Sequence, residues 1–311
     1  MNAAQKLLWV FGGIVALLSV ASAIGWLLQR RKGDTAVIRN LNERLRAWWL
    51  MVAVLGACFW LGPSATLVVF AFISFFALRE FITLTPTRAS DHKPLVVAFY
   101  VLVPLQYWLI HLEWYGLFSI FIPVYAFLGL PALAVFAGDT EEFLERTTKI
   151  QWGVMIAVYC ISYAPALLVL NLDGFEGQGA LLLLYLMLVV QISDVMQYVF
   201  GKLFGKHKLA PLVSPSKTIE GLVGGGAAAV AIGASLWWIT PFTPLQSAGM
   251  SLLIVICGVL GGLALSAVKR SLGAKDWGSM IEGHGGMMDR MDSVSFAAPI
   301  FFHIARFFFS G

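Results

Sequence analysis

The sequence has few charged residues and few cysteines. Only 12% of its 311 residues are charged, against roughly 25% in an ordinary soluble domain. Its three cysteines, Cys58, Cys160 and Cys257, stand singly inside apolar runs, so we interpret them as packing residues and exclude a disulfide framework. The sequence also has no nucleic-acid-binding motif, no obvious internal repeat and no linker long enough to separate two soluble domains. We therefore expect neither a nucleic-acid partner nor a soluble multidomain protein.

Most of the chain is instead apolar, with 59% hydrophobic residues and a mean hydropathy of +0.82. Its long apolar runs approach the ~20 residues that span a bilayer as a helix. We predict an all-α, polytopic membrane helix bundle of about ten transmembrane helices, or nine if Gly62-Pro63-Ser64 only interrupts one segment. One membrane unit would hold an N-terminal region (1–178) and a C-terminal region with the polar motifs (179–311). The runs lie near 7–28, 47–62, 65–84, 94–112, 116–137, 151–171, 179–200, 219–240, 247–268 and 293–309.

Basic residues are confined almost entirely to alternate connections between these runs. Such connections hold 19 of the 21 Lys and Arg residues, while the intervening connections hold none. By the positive-inside rule, the basic connections face the cytoplasm and both termini face outward. We expect an integral protein of a bacterial inner (plasma) membrane. The basic connections are 29–46, 79–93, 138–149, 201–218 and 269–292.

Two segments before residue 150 have alternative interpretations. Ala21-Ser22-Ala23 resembles a signal-peptide cleavage site, but the apolar run continues to the basic cluster Arg30-Arg31-Lys32, which favours an uncleaved first helix. The basic segment 29–46 is interpreted as topogenic, with anionic-lipid binding as a secondary role. The connection 138–149, GDTEEFLERTTK, is interpreted as a solvated connector in preference to a short interfacial helix.

The polar segment Ser193 to Gly226 carries the first candidate site. Asp194 lies inside the seventh apolar run, where an ionisable side chain either pairs with a neighbouring Lys or, as we favour, faces a polar cavity. Ser214-Pro215-Ser216-Lys217-Thr218 opens the eighth run and suits a helix start that binds an anion. A capped helix with a topogenic lysine is the equal alternative. We assign the following glycines to helix packing: Gly221, Gly224, Gly225 and Gly226.

The second polar segment, 266–293, holds charges of both signs. Its aspartates supply hard oxygen ligands of the kind that bind magnesium together with substrate phosphates. They are Asp276, Asp289 and Asp292. Its cations are natural counter-charges for a polyphosphate, and they are Lys269, Arg270, Lys275 and Arg290. The run Gly283-His284-Gly285-Gly286 lets the backbone approach a ligand, with His284 as a donor to a phosphate oxygen or as a structural pin.

The two segments together resemble the signature of the phosphatidate cytidylyltransferase (CDP-diacylglycerol synthase) family. The matching residues are the block GKHKLAPLVSPSKTIEG, Ser266-Ala267-Val268-Lys269-Arg270, Lys275-Asp276, His284-Gly285-Gly286 and Asp289-Arg290-Met291-Asp292. The resemblance implies an enzyme that condenses CTP with phosphatidic acid, or a related lipid, to give CDP-diacylglycerol and pyrophosphate. It also implies Mg²⁺, with a second cation left open, and a homodimer.

The resemblance further implies roles for single residues. The implied catalytic residues are Asp276, Asp289, Asp292, Lys275 and Arg290. The implied substrate-binding and CTP-binding residues are Ser214, Ser216, Lys217, Lys269, Arg270, His284, Gly285 and Gly286. The implied metal ligands are Asp276, Asp289, Asp292 and Asp194. Two positions depart from the family pattern: Glu282 replaces a small residue or Pro, and Gln197 replaces an Ala, so altered lipid specificity is one hypothesis.

Two other classes of function remain as alternatives. A CTP-dependent lipid kinase, such as a polyprenol kinase, would attack the γ-phosphorus and release CDP. A lipid transporter would use Asp194 and the basic connections to line a path, although paired, broken helices in two related halves are absent from the sequence. An inactive paralogue completes the alternatives.

Overall fold

Ten long helices follow one another through the residues that the computed structural model describes, which are 1–33, 35–280 and 285–310. α4, α5, α6 and α8 each contain one wider π-helical turn. The helices are α1 (Ala3–Lys32), α2 (Ala36–Leu61), α3 (Pro63–Leu84), α4 (Ala89–His111), α5 (Tyr115–Val135), α6 (Phe143–Val169), α7 (Gly179–Phe204), α8 (Gly221–Ser235), α9 (Pro244–Ser271) and α10 (Met287–Phe309).

The lengths and composition of these helices confirm the predicted all-α, polytopic membrane bundle. Within the described ranges, eight helices are long and apolar enough to cross a bilayer. Of the other two, α8 is shorter, and α10 begins with a turn that carries charged side chains. The second and third apolar runs form separate helices, because Gly62 turns the chain between them with φ of 96°. The number of helices that cross the membrane stays a prediction.

Local sequence signals start several of these helices. The Asn2 side chain accepts the backbone N–H of Gln5, and the Gln5 side chain accepts that of Asn2 in return. Thr243 and Gln246 form the same reciprocal pair at the start of α9, and Pro244 occupies the first helical position. Such caps satisfy backbone donors that have no partner within the helix.

Helix α10 lies at the centre of the bundle. It packs against α3, α6, α7 and α9, and its Phe301 side chain is fully buried together with Tyr163 and Tyr185. The carboxyl halves of α3, α7 and α9 meet the amino end of α10, because Glu80, Asp194 and Lys269 each bond to a residue in its first two turns. This end of the bundle is where the basic connections 79–93, 201–218 and 269–292 are attached.

A short β-hairpin joins α7 to α8, and it corrects one expectation. Strand β1 (Lys208–Ala210) pairs antiparallel with strand β2 (Ser214–Thr218), with Lys208 opposite Thr218. The predicted helix start at Ser214 is therefore wrong, since α8 begins only after the hairpin. The physical reason is Pro215, which disfavours a helical conformation for the residue before it and is tolerated at the edge of a sheet.

The connection 138–149 is also more ordered than a solvated connector. Phe143 starts α6, and Arg146 in its first turn is only 4% exposed. The Arg146 guanidinium lies 3.2 Å from Asp91 and 2.6 Å from Asp139, and Ser90 also donates to Asp139 at 2.7 Å. This buried ion network fixes the start of α4 against the start of α6.

Candidate active site

Asp289, in the first turn of α10, has its carboxylate fixed by three donors. One oxygen accepts a hydrogen bond from the Lys269 ammonium at 2.5 Å. The other accepts the backbone N–H groups of Trp277 at 2.8 Å and Gly286 at 2.9 Å. The pair with Lys269 is buried, and an acidic group near a helix amino terminus is favoured by the free N–H groups and the helix dipole. Asp289 therefore holds α9, α10 and the intervening loop together.

Glu80, near the end of α3, makes a second contact with the start of α10. Its two carboxylate oxygens accept the backbone N–H groups of Met287 and Met288, each at 2.9 Å. Glu80 is only 8% exposed, and a Cβ atom on Gly278 would lie 2.7 Å from it. The sequence analysis missed this residue. The available signal was an acidic side chain inside the third apolar run, which marks a functional position in a membrane helix.

Two further carboxylates face each other across α7 and α10. Asp194 and Asp292 lie close enough for their charges to repel, and Lys217 and Arg290 lie close enough to attract both. The Ser293 hydroxyl donates to Asp194 at 3.4 Å, and the Ser293 backbone N–H donates to Asp292 at 2.7 Å. The structure thus brings Asp194, which the sequence places 98 positions earlier, next to Asp292.

Lys217 reaches this pair from strand β2. Its ammonium lies against Gly262 of α9, where an added Cβ atom would be 2.9 Å from Lys217 Nζ and 3.9 Å from an Asp292 oxygen. Ser214 is half-buried and Ser216 is exposed on the same strand. The hairpin therefore brings Lys217 toward the carboxylates, and substrate binding by the two serines stays a prediction.

These four charged groups remain open to a ligand. Among the residues that the structure describes, no ion pair within 4.0 Å joins Asp194, Asp292, Lys217 and Arg290. The Nε atom of Arg290 is buried and has no hydrogen-bond partner there. A buried guanidinium N–H without an acceptor is costly, and a phosphate oxygen is the acceptor that arginine geometry suits.

The donor set fits a hard metal ion with few protein ligands. In the described part of the chain, no group of three or more His, Cys, Asp or Glu residues converges. Magnesium commonly takes one or two carboxylates and completes its shell with water and substrate phosphates, and Asp194 with Asp292 supply that number. Asp289 is already engaged by three donors, and Asp276 is exposed. Metal ligation by Asp276 and Asp289 stays a prediction.

The remaining predicted site residues lie around the loop before α10. Lys275 is exposed, and Arg270 donates from Nε to the Val213 carbonyl at 3.3 Å and from Nη1 to the Ala274 carbonyl at 3.0 Å. Arg270 thus ties the hairpin to this loop. Gly285 has φ of 79°, and a Cβ atom there would lie 2.8 Å from Asp289 Oδ2. His284 and Glu282 lie outside the described residues.

Glu220, just after the hairpin, binds Lys206 and His207, which lie just before the hairpin. Its carboxylate accepts a hydrogen bond from His207 Nδ1 at 2.6 Å. It also accepts hydrogen bonds from the backbone N–H groups of Lys206 and His207 at 3.0 and 3.2 Å. These bonds, with that from the His207 ring first, lower the pKa of Glu220 to about 2. Close packing with α7 completes the support, because a Cβ atom on Gly221 would lie 2.7 Å from the Gln197 carbonyl oxygen.

Gln197, one of the two departures from the family pattern, points along its own helix. Its amide nitrogen donates to the Ser193 hydroxyl at 2.6 Å. The Gln197 side chain therefore contacts Ser193, the residue before Asp194 on the same helix, α7. An effect on lipid specificity stays a prediction.

Comparison with known proteins shows the family of the chain. The model of the family described as "Cytidylyltransferase family" matches residues 42–308, which include every charged site residue named above. The Escherichia coli (strain K12) protein named "Uncharacterized protein YnbB" is 40% identical over 306 residues, covering 94% of this chain and 96% of that protein.

Named enzymes match over a shorter region. The phosphatidate cytidylyltransferase of Staphylococcus aureus (strain COL) is 34% identical over 157 residues, which cover 49% of this chain and 60% of that enzyme. The Staphylococcus haemolyticus phosphatidate cytidylyltransferase is 40% identical over 129 residues, which cover 40% of this chain and 49% of that enzyme. The chain thus spans about half to three-fifths of the length of these enzymes, and its match to the family model covers most of its own length. The chain belongs to the cytidylyltransferase family.

Proposed function

We propose that this protein transfers the cytidylyl group of CTP to the phosphate of phosphatidic acid, or of a closely related lipid phosphomonoester. The products would be CDP-diacylglycerol and pyrophosphate. The observation that carries the proposal is the open cluster of Asp194, Asp292, Lys217 and Arg290 at one end of an apolar helix bundle. Such a cluster suits a polyphosphate and a divalent cation, and the surrounding helices suit a lipid. The names of the staphylococcal relatives support the same reaction.

The reaction needs no activated nucleophile from the protein. A phosphomonoester has a second pKa of about 6, so the lipid phosphate is largely a dianion at neutral pH. One of its oxygens would attack the α-phosphorus of CTP, a new P–O–P bond would form, and the bond to the β-phosphate would break with release of pyrophosphate. The difficult part is to bring two polyanions together in line and to neutralise the charge on the leaving group.

The side chains of the cluster would divide this work. Lys217 and Arg290 would bind phosphate oxygens, with the unpartnered Nε of Arg290 as one donor. Asp194 and Asp292 would hold magnesium, which when bound supplies charge neutralisation for the pyrophosphate. Lys269 would be neutralised by Asp289, so we infer that these two residues position α10 and the preceding loop. Glu80 would act as a further positioning residue.

The proposed setting follows from the same arrangement. The end of the bundle that carries the cluster also carries the basic connections, so the active site would face the cytoplasm by the positive-inside rule. CTP would arrive from the cytosol, and the lipid would arrive laterally between apolar helices. We infer a bacterial inner membrane as the location.

Product analysis with purified protein tests the proposal. The protein in detergent would be incubated with CTP, magnesium and a panel of lipids: phosphatidic acid, lysophosphatidic acid, a polyprenyl phosphate and an isoprenoid alcohol. We expect a CDP-lipid and one pyrophosphate for each lipid consumed with phosphatidic acid, and no product with Asp292→Asn. A phosphorylated alcohol with release of CDP would replace this function with lipid kinase activity. No product from any phosphomonoester would contradict it.

A further inference from the structure

A cleft between α1 and α2 lies apart from the active site. Its volume is about 420 Å³, and its walls are the later half of α1 and the earlier half of α2. None of its lining residues belongs to the two polar motif segments. Arg44 of α2 lies 5.9 Å from the ring of Tyr198 on α7, so the cleft flanks the same end of the bundle as the carboxylate cluster.

Two arginines of α2 line this cleft without a partner. Arg39 and Arg46 are seven positions apart, about two helical turns, and so lie on one face of α2. Both side chains are exposed, and within the described residues neither forms an ion pair or a side-chain hydrogen bond. Two guanidinium groups held in one cleft are suited to an anion with several oxygens, such as a phosphodiester.

One acidic side chain lies between the two arginines in sequence. Glu43 also lines the cleft, four positions after Arg39 and three before Arg46, which is the spacing of helical ion pairs. No such pair within 4.0 Å is formed in the part of the chain that the structure describes. The cleft therefore presents two cations and a separate carboxylate. A ligand with one phosphate and one ammonium group complements all three.

Two tryptophans favour a position of the cleft at the surface of the bilayer. Trp26 of α1 and Trp49 of α2 both line it, and tryptophan is enriched where the hydrocarbon core meets water. Trp49 is fixed by a hydrogen bond from its ring N–H to Ser22 at 3.1 Å. Before the cleft along α1, apolar side chains such as Leu17 and Val20 are exposed, as a surface along acyl chains would be.

We propose that this cleft binds the headgroup of an aminophospholipid, a lipid whose headgroup carries a phosphodiester and an ammonium group. The phosphodiester pairs with Arg39 and Arg46, and the ammonium group pairs with Glu43. This lipid is a bound partner and not the substrate, because its phosphate is already a diester and the cleft holds no residue of the carboxylate cluster. The site holds α1 and α2 at the membrane surface beside α7.

Native mass spectrometry of the full-length protein in detergent tests this site. The protein would be titrated separately with phosphatidylethanolamine, with phosphatidylglycerol and with inorganic phosphate. We expect phosphatidylethanolamine to bind most tightly, and each of Arg39→Gln and Arg46→Gln to weaken its binding roughly fivefold. Glu43→Gln should remove the preference for phosphatidylethanolamine over phosphatidylglycerol. Arg31→Gln is the matched control, because Arg31 is a basic residue of the same segment that does not line the cleft.

Several results would overturn the proposal. Equal binding by the wild type and both arginine variants would remove the cleft as the site. An equal loss with Arg31→Gln would mean a diffuse basic surface, and equal binding of the two lipids by the wild type would remove the role of Glu43. Full competition by inorganic phosphate at the lipid's own concentration would mean a site for soluble anions. Because Arg39 and Arg46 are exposed and unpaired, size-exclusion elution of the variants should match the wild type.

Discussion

Glu80 and Met288 are 208 positions apart in the chain, and the backbone N–H of Met288 donates to the Glu80 carboxylate at 2.9 Å. The neighbouring Met287 N–H donates to the other oxygen of the same carboxylate. A charged side chain from the third helix thus completes the amino terminus of the tenth. The first turn of α10 carries Asp289, and the next turn carries Asp292, so the position of Glu80 bears directly on the proposed active site.

Replacing Glu80 with Gln should reduce activity more than stability. The variant loses the charge that accepts two backbone N–H groups, and hydrogen bonds to charged groups are worth ~1.5–3 kcal/mol. We expect kcat to fall about tenfold to a hundredfold if that energy positions α10 for the reaction. KM for CTP should change little. Steady-state kinetics with phosphatidic acid measures both.

The matched control for Glu80 is Glu145→Gln. Glu145 is exposed, and its ion pair is with Lys149, one turn further along the same helix, at 2.6 Å. Loss of its charge should therefore leave kcat unchanged. A Glu80→Gln protein with normal kcat and a lowered unfolding temperature would assign Glu80 to stability alone.

The Lys269 and Asp289 pair should show strong energetic coupling. Lys269→Met leaves a buried carboxylate without its cation, and removing one partner of a buried pair costs about 3–5 kcal/mol. Asp289→Asn leaves the ammonium uncompensated in the same way. The double variant removes both charges. Its loss in free energy of unfolding should therefore be smaller than the sum of the two single losses by about 1–3 kcal/mol.

Denaturant unfolding of the four proteins in detergent measures this coupling. Additive losses would show that the two side chains do not interact in the folded protein. Activity should be low in all three variants, because each alters the loop before α10.

Gly262→Ala should displace Lys217 without disturbing the fold. The added Cβ atom would lie 2.9 Å from Lys217 Nζ, and the far end of a flexible side chain moves easily. A small displacement of a group that binds substrate can reduce the rate strongly, so we expect kcat/KM to fall about tenfold or more. The unfolding temperature should stay close to that of the wild type.

Gly249→Ala is the control on the same helix, because a Cβ atom there meets nothing within 4 Å. It should retain full activity. If Gly262→Ala also retained full activity, Lys217 would not be held in a fixed position that the reaction requires.

Acid should destabilise the folded protein between about pH 4.5 and 2. Hydrogen bonds from the His207 side chain and then from backbone N–H groups lower the pKa of Glu220 from 4.5 to about 2. The Ser90 hydroxyl, assisted by the Glu141 backbone and by Arg146, lowers the pKa of Asp139 from 3.8 to about 2. Because the folded state binds protons less readily, this stabilisation is complete above the unfolded pKa values and is lost as the pH falls toward 2.

Thermal unfolding followed by tryptophan fluorescence at a series of pH values tests this dependence. In Glu220→Gln, the unfolding temperature should fall less steeply as the pH drops from 4.5 to 2. Glu176→Gln changes an exposed loop carboxylate and should leave this pH dependence unchanged. If the unfolding temperature of Glu220→Gln fell with pH as steeply as that of the wild type, Glu220 would not contribute to the acid dependence of stability.

The sequence predicted the elements that depend on local composition. Apolar runs near the length of a bilayer predicted the helices, and the motif spacing predicted that Asp289 and Asp292 lie close together at the start of one helix. The juxtaposition of Asp194 with Asp292 depends on how α7 packs on α10, which no local pattern contains. The motif resemblance nevertheless pointed to both residues.

Three other features were not predicted from the sequence: the β-hairpin, the burial of Arg146 and the contact of Glu80 with α10. The hairpin was missed because the serines around Pro215 were interpreted as a helix cap, whereas proline favours an extended residue before it. The connection 138–149 was interpreted as solvated, yet its Arg146 is buried in an ion network with Asp91 and Asp139. Glu80 could have been found, since it is an acidic residue inside an apolar run.

The most direct test of cytidylyl transfer follows the α- and γ-phosphorus atoms of CTP. Purified protein would be incubated with phosphatidic acid, magnesium and CTP that carries radioactive phosphorus at either the α or the γ position. We expect the lipid product to be labelled only from α-labelled CTP, the γ label to appear in pyrophosphate, and Asp292→Asn to abolish both. Lipid labelled from γ-labelled CTP would contradict cytidylyl transfer and would show transfer of the γ-phosphate.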